Sequence, residues 1–184
     1  MKELTYKDLT FVPYIEAGEI AKQVQRVADE IKRDAITDNP LFICTLKGAF
    51  IFAADLFRAC NLPHAEMAFM RFKSYQGTSS TGTVTQVNGL LDDNLEDREV
   101  IIIEDIVDTG VTAQQMRTTL AQSKPKSVKM ASLLFKPGSL TVGNPPEYVG
   151  FEIPSKFIIG YGLDLDGEAR NLPDIYILKD QLSK

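Results

Sequence analysis

Apolar and polar positions along the chain change period several times, and each change marks an element. Ile20, Val24, Val27, Ala28 and Ile31 recur at helical spacing with charged residues between them. That spacing predicts an amphipathic helix over about residues 16–36, stopped by Asn39-Pro40. Residues 41–46 (LFICTL) form an apolar run of strand length that ends at Lys47-Gly48. Residues 49–60 (AFIFAADLFRAC) are apolar on most faces and predict a buried helix. Residues 66–72 alternate and predict a second strand, and 83–88 a short one. Between them, 74–82 (SYQGTSSTG) carry no apolar anchor and predict a mobile loop. Residues 99–104 (EVIIIE) give the clearest strand, since consecutive β-branched residues suit a strand covered on both faces. A helix over 113–123 follows, then strands over 127–135, within 148–160 (one or two, broken by Pro154) and over 175–178. This alternation predicts an α/β fold with a mainly parallel twisted sheet flanked by helices. No linker or repeat divides the chain, so residues 1–184 are expected to form one domain.

Composition narrows the function without naming it. The chain is 44% hydrophobic and 24% charged, ordinary for a globular domain. Its net charge of −5 argues against a nucleic-acid partner, which calls for a basic face. No apolar run has membrane-spanning length, and the polar N-terminus lacks the apolar core of a secretory signal, so a cytoplasmic location is expected. Cys44 and Cys60 stand in apolar surroundings and read as buried reduced thiols. The single His64 follows Asn61-Leu62-Pro63 and reads as a surface turn residue. A Ser-His-Asp hydrolase would depend on it, and no GxSxG accompanies it.

The chemistry concentrates in residues 100–112 (VIIIEDIVDTGVT). A buried strand leads into the adjacent carboxylates Glu104 and Asp105, then a loop rich in Thr and Gly, then a helix. In open α/β sheets ligands bind at the carboxyl ends of strands. N–H groups at a helix start converge on an anion, and the helix dipole favours it. Gly110 lets the backbone come close, and Thr109 and Thr112 add hydroxyl donors. The carboxylates suit ribose hydroxyls or Mg²⁺, which prefers oxygen ligands. Two carboxylates side by side also repel each other, a cost that a metal or sugar ligand would explain.

This stretch resembles the motif that binds phosphoribosyl pyrophosphate (PRPP) in type I phosphoribosyltransferases. Further matches resemble the hypoxanthine-guanine phosphoribosyltransferases in particular. Leu46-Lys47-Gly48 is similar to that family's pyrophosphate loop, and Lys73-Ser74-Tyr75 through Ser80-Thr81-Gly82 to its flexible catalytic loop. Residues 128–136 (VKMASLLFK), 149–156 (VGFEIPSK) and 160–164 (GYGLD) are similar to its purine-site and metal-site segments. The resemblance covers about residues 12–180, with the motifs in family order.

The resemblance implies a Rossmann-like sheet with a small hood subdomain formed by the termini. It implies Mg²⁺-dependent transfer of 5-phosphoribosyl from PRPP to a 6-oxopurine, in a homodimer or homotetramer. Glu104 and Asp105 would hold the ribose hydroxyls, partly through Mg²⁺. Asp108, Thr109, Gly110, Val111 and Thr112 would cradle the 5-phosphate, with Asp108 also the general acid/base near purine N7. Lys47, Gly48 and Arg170 would bind pyrophosphate. Lys136 would meet the purine 6-oxo group, Phe157 would stack on the base and Ile158 would lend backbone groups to its edge. Asp164, at the end of the purine-site segments, would hold a second Mg²⁺. Ser74 and Tyr75 would belong to the closing loop.

The sequence departs from the family pattern at Val111, where a basic or aromatic residue is found in some members, and at Leu165 and Ala169, where aromatics are common. Alternatives are a xanthine-guanine-preferring relative, or a regulatory protein that keeps the fold and the PRPP site. A receiver domain with Asp105 as phosphoacceptor leaves the TG loop and GYGLD unexplained.

Overall fold

The computed structural model describes residues 2–73, 85–86 and 95–181. The loop expected over 74–82, with Ser74 and Tyr75, lies outside the described residues. In chain order the elements are β1 (Leu4–Tyr6), β2 (Leu9–Ile15), α1 (Ala17–Asp34), β3 (Leu41–Leu46), α2 (Phe50–Cys60), β4 (Glu66–Lys73) and β5 (Thr85–Gln86). Then follow β6 (Glu99–Val107), α3 (Val111–Ala121), β7 (Ser127–Phe135), β8 (Tyr148–Glu152), β9 (Ile158–Ile159) and β10 (Ile175–Leu178).

The main sheet has the order β5-β4-β3-β6-β7-β8. Its last five strands are parallel, and β5 pairs antiparallel with β4 at the edge. Strand alternation divides the core between the two faces. Phe42, Cys44, Ile101 and Ile103 pack with Ile20, Val24, Phe52 and Leu56, so α1 and α2 cover one face. Leu41, Ile43, Val100 and Ile102 pack with Ala113, Met116 and Leu120, so α3 covers the other. β3 and β6, at the centre of the sheet, are thus buried on both sides, as their apolar runs predict, while β4 leaves Phe69 exposed.

A second, antiparallel sheet of order β1-β2-β10-β9 joins the two ends of the chain. Phe11, Ile159, Ala169 and Tyr176 form its own small core. The sequence pattern left β1 and β2 unmarked, because one is three residues long and the other contains Pro13.

Two boundaries move, and a third stretch divides at its proline as the sequence predicts. The strand expected over 99–104 runs on through Val107, so Glu104 and Asp105 lie inside it. Pairing continues to Val107↔Phe135, and a strand with a partner that long has no reason to stop at a carboxylate. The helix expected from 113 begins at Val111, directly after Gly110. The stretch 148–160 is shared between sheets: β8 extends the parallel sheet, and beyond Pro154 the chain crosses to pair β9 with β10. Proline cannot donate to a ladder, so the crossing falls there.

Candidate active site

β3 leads through α2 to β4 on one side, while β6 leads through α3 to β7 and β8 on the other. The strand order therefore reverses between β3 and β6, and a crevice opens beyond their carboxyl ends. Two hollows of about 110 and 230 Å³ share Glu104, Ile106 and Thr112 as walls. The smaller is closed by Asp108, Thr109 and Gly110, and the larger by Thr45, Gly48 and Asp105.

The smaller hollow lies at the residues where the sequence predicts an anion cradle. Gly110 caps α3 in the left-handed region (φ 84°), with no side-chain cap. The first N–H groups of a helix have no partner within it. Gly110, Thr112 and Ala113, at this helix start, line the hollow. Gly110 is also needed behind the cradle: a Cβ there would lie 2.1 Å from the Val142 carbonyl oxygen. That carbonyl belongs to a segment held by Thr141 and Val142 N–H groups donating to Thr109 O at 3.0 and 3.1 Å.

The two carboxylates stand side by side near the end of β6, close enough to interact directly. Glu104, only 9% exposed, meets Thr45 of the neighbouring β3, with Thr45 Oγ1 2.6 Å from Glu104 Oε2 and 2.9 Å from Ile103 O. Burial, reinforced by the charge of Asp105, pushes the Glu104 carboxyl up to about 8. Asp105 packs on Gly48, where a Cβ would fall 1.5 Å from its Oδ2. Burial raises Asp105 too, opposed by the Ile106 N–H at 2.9 Å and by Arg170. A buried and a half-buried carboxylate held next to each other and reluctant to ionise form a charge set that a divalent cation would relieve. Among the described residues no three His, Cys, Asp or Glu gather as a ready-made metal cage. The carboxylate pair itself suits Mg²⁺, which is usually held by one or two carboxylates together with substrate phosphates.

The remaining expected residues fall into three places. Lys136, one residue beyond β7, donates from Nζ to Asp108 Oδ2 at 2.8 Å, so the two groups expected at the purine meet each other. Arg170 pairs with Asp164 (2.5 Å) and donates from Nη1 to the Gly162 carbonyl at 2.6 Å. The other Asp164 oxygen accepts the Gly167 N–H at 2.6 Å. Despite Leu165 and Ala169, this loop closes on itself through the Leu165↔Glu168 bridge, and Ala169 fills the core of the terminal sheet. Phe157 is 40% exposed and its ring lies against Phe11 at 6.1 Å, while Ile158 is buried within β9. Lys47 is exposed, after a cis Leu46–Lys47 peptide. Val111 is exposed at the first turn of α3. Sequence reasoning missed Thr45 and Val142. Thr45 had one signal, as the lone hydroxyl in the apolar run of β3.

An open parallel sheet with an anion cradle and paired carboxylates at its switch point defines an α/β protein that handles a sugar phosphate. A model of the phosphoribosyl transferase domain matches residues 14–166. The hypoxanthine-guanine phosphoribosyltransferase of Aquifex aeolicus is 38% identical over 182 residues, 98% of this chain and all of that protein (100%). Its rat counterpart is 36% identical over 179 residues, covering 92% of this chain and 80% of that protein. A crystal structure of a hypoxanthine-guanine phosphoribosyltransferase from Bacillus anthracis superposes with a TM-score of 0.85 at 36% identity, over 91% of this chain and 98% of that one. The chain belongs to the phosphoribosyl transferase family, and within it to the hypoxanthine-guanine phosphoribosyltransferases.

Proposed function

We propose that this chain transfers 5-phosphoribosyl from PRPP to N9 of hypoxanthine or guanine, giving IMP or GMP and pyrophosphate in purine salvage. The observation that carries the reading is the phosphate-sized cradle at the start of α3 with the Asp108–Lys136 pair at its rim.

Cleavage of the C1–pyrophosphate bond builds positive charge on the ribose and negative charge on the leaving group. Lys47, the Gly48 backbone and Arg170 stabilise the leaving group by electrostatics set in place beforehand. Asp108 takes the purine proton at N7, a step that contributes about 10²–10⁴-fold in comparable enzymes. Lys136 Nζ donates to the 6-oxo group and turns away a 6-amino purine, which offers no acceptor there. Phe157 stacks on the base and Ile158 lends its backbone to the pyrimidine edge. The 5-phosphate is held by the backbone of residues 108–112 with the Thr109 and Thr112 hydroxyls. Mg²⁺, when bound, neutralises charge on the pyrophosphate. Glu104 and Asp105 would hold the ribose hydroxyls, partly through Mg²⁺, and Asp164, which also pairs with Arg170, would hold a second ion. Ser74 and Tyr75 close over the reaction and keep water from the cation-like ribose.

We read the two sheets as one domain, with the terminal sheet as its hood. The reading extends to a cytoplasmic homodimer or homotetramer. Among the described residues no helix is long and apolar enough to cross a membrane. A spectrophotometric assay with PRPP, Mg²⁺ and hypoxanthine, guanine, xanthine or adenine in turn tests the proposal. Turnover of hypoxanthine and guanine, lost without Mg²⁺ and strongly reduced in Asp108→Asn, is the expected result. Turnover of none of the four bases would overturn it.

A further inference from the structure

Tyr161 has a backbone that tyrosine rarely adopts. Its φ is 48°, between Gly160 at 99° and Gly162 at 101°. A left-handed residue other than glycine costs about 1 kcal/mol or more and persists where its surroundings demand it. The ring is buried in the α1–α2 core, and its hydroxyl donates to Asp55 Oδ2 at 2.6 Å. Packing alone would be served by phenylalanine, so the hydroxyl is there for the bond. Among the described residues the charge partner of Asp55 is the exposed Arg58, at 3.9 Å.

The bond joins two segments that also touch at the site. Asp55 stands on α2, which starts at Phe50, directly after the Lys47-Gly48 loop. Tyr161 stands at the head of a hairpin whose arms are joined by Tyr161 N–H to Leu172 O and Gly162 N–H to Arg170 O, both 2.9 Å. Gly162 lies so close to the pyrophosphate loop that a Cβ on it would come within 2.1 Å of Gly48 O. On the hairpin side Arg170 grips the Gly162 carbonyl and Asp164; on the loop side Gly48 abuts Asp105. Asp105, Gly48, Gly162 and the Arg170–Asp164 pair therefore form one stack, with no side chain at either glycine to keep its layers in register.

We infer that Tyr161 and Asp55 are positioning residues that fix the 160–170 hairpin on the pyrophosphate loop, and so set Arg170 and Asp164 at the PRPP end of the site. The inference rests on the proposed transferase reading for its kinetic consequence, but its structural consequence is independent of turnover. Tyr161→Phe, Asp55→Ala and Asp55→Asn in the full chain test it. The first two are expected to raise the KM for PRPP on the order of tenfold, since small misplacements of a positioning group are costly. The KM for hypoxanthine and the melting temperature should stay at wild-type values. Asp55→Asn, whose amide oxygen still accepts the phenol proton, should restore the wild-type KM. In the ligand-free protein, amide hydrogen exchange across 160–170 should speed up in Tyr161→Phe and Asp55→Ala but not in Asp55→Asn. Unchanged exchange in the first two would overturn the inference. So would an unchanged PRPP KM, or equal rises in both KM values with a falling melting temperature. An inactive wild type would sink the transferase reading instead, and the exchange result would still decide the positioning.

Discussion

Lys136 Nζ donates to Asp108 Oδ2 at 2.8 Å, and the Lys136 N–H donates to Val107 O at 3.0 Å, so the ends of two neighbouring parallel strands are clasped by both backbone and side chain. Asp108 is nearly half exposed, at 46%. Lys136 is mostly covered, at 12%, but a pair whose carboxylate reaches solvent is screened and contributes about 0–1 kcal/mol to stability. The pair is thus a means of placing two chemical groups.

Lys136→Ala should accordingly leave the melting temperature nearly unchanged. The KM for hypoxanthine should rise and discrimination against adenine should fall, by about 10–100-fold, as expected when a hydrogen bond that selects a substrate is lost. Steady-state kinetics with the two bases checks this. Retained discrimination would place the selectivity elsewhere.

Gly110→Ala should be the costliest of the small substitutions in the cradle. The left-handed backbone (φ 84°) and the Val142 carbonyl at 2.1 Å from a new Cβ act together. A loss of about 2–4 kcal/mol in chemical denaturation is expected, together with loss of PRPP binding. Gly138→Ala is the control, since a Cβ there meets nothing within 4 Å and its backbone is not left-handed.

The central strands of the main sheet were legible because strands buried on both faces are continuous apolar runs: β3 and β7 fall where the pattern placed them. In the terminal sheet β10 fell where the pattern placed it, but β1 and β9 are only three and two residues long and β2 contains Pro13, and their long-range pairing lies in no local window. At the site, the residue types of 104–112 pointed to an anion cradle beside paired carboxylates before any geometry was known. What sequence could not supply was the approach of backbones. The Gly48–Gly162 contact and the Val142 carbonyl behind Gly110 involve no side chain, so they leave no trace in residue type beyond the glycines themselves.

Cys60 closes α2 with its thiol wholly buried, and burial pushes that thiol up to about 12. Thiolate is the reactive form. The native protein should therefore resist a disulfide reagent at pH 8 and react at both cysteines only after denaturation. The folded state keeps its proton between the unfolded value, near 9, and about 12. This group therefore leaves stability unchanged below about pH 9 and erodes it above, because the unfolded chain gives up the proton first. Rapid labelling of Cys60 in the native state would contradict its burial.

Glu104 is where stability and chemistry pull against each other. Its carboxyl is buried, adjoins Asp105 and is raised to about 8, so in the metal-free protein the native state resists ionisation that the unfolded chain undergoes near 4.5. The unfolded state then holds fewer protons between those values, and wild-type stability falls as pH climbs from about 4.5 to 8. Glu104→Gln keeps the shape and an oxygen to accept the Thr45 hydroxyl, 2.6 Å away in the wild type, but has no charge to bury. Denaturation of the metal-free variant at pH 8 should show a gain of about 1–2 kcal/mol, shrinking toward zero at pH 5. Turnover with PRPP should fall by about 10²-fold or more over the same range, since a charge placed for the reaction is gone. A variant less stable than wild type at pH 8 would mean that the carboxylate is stabilised by its neighbours and that the repulsion with Asp105 is not the governing term.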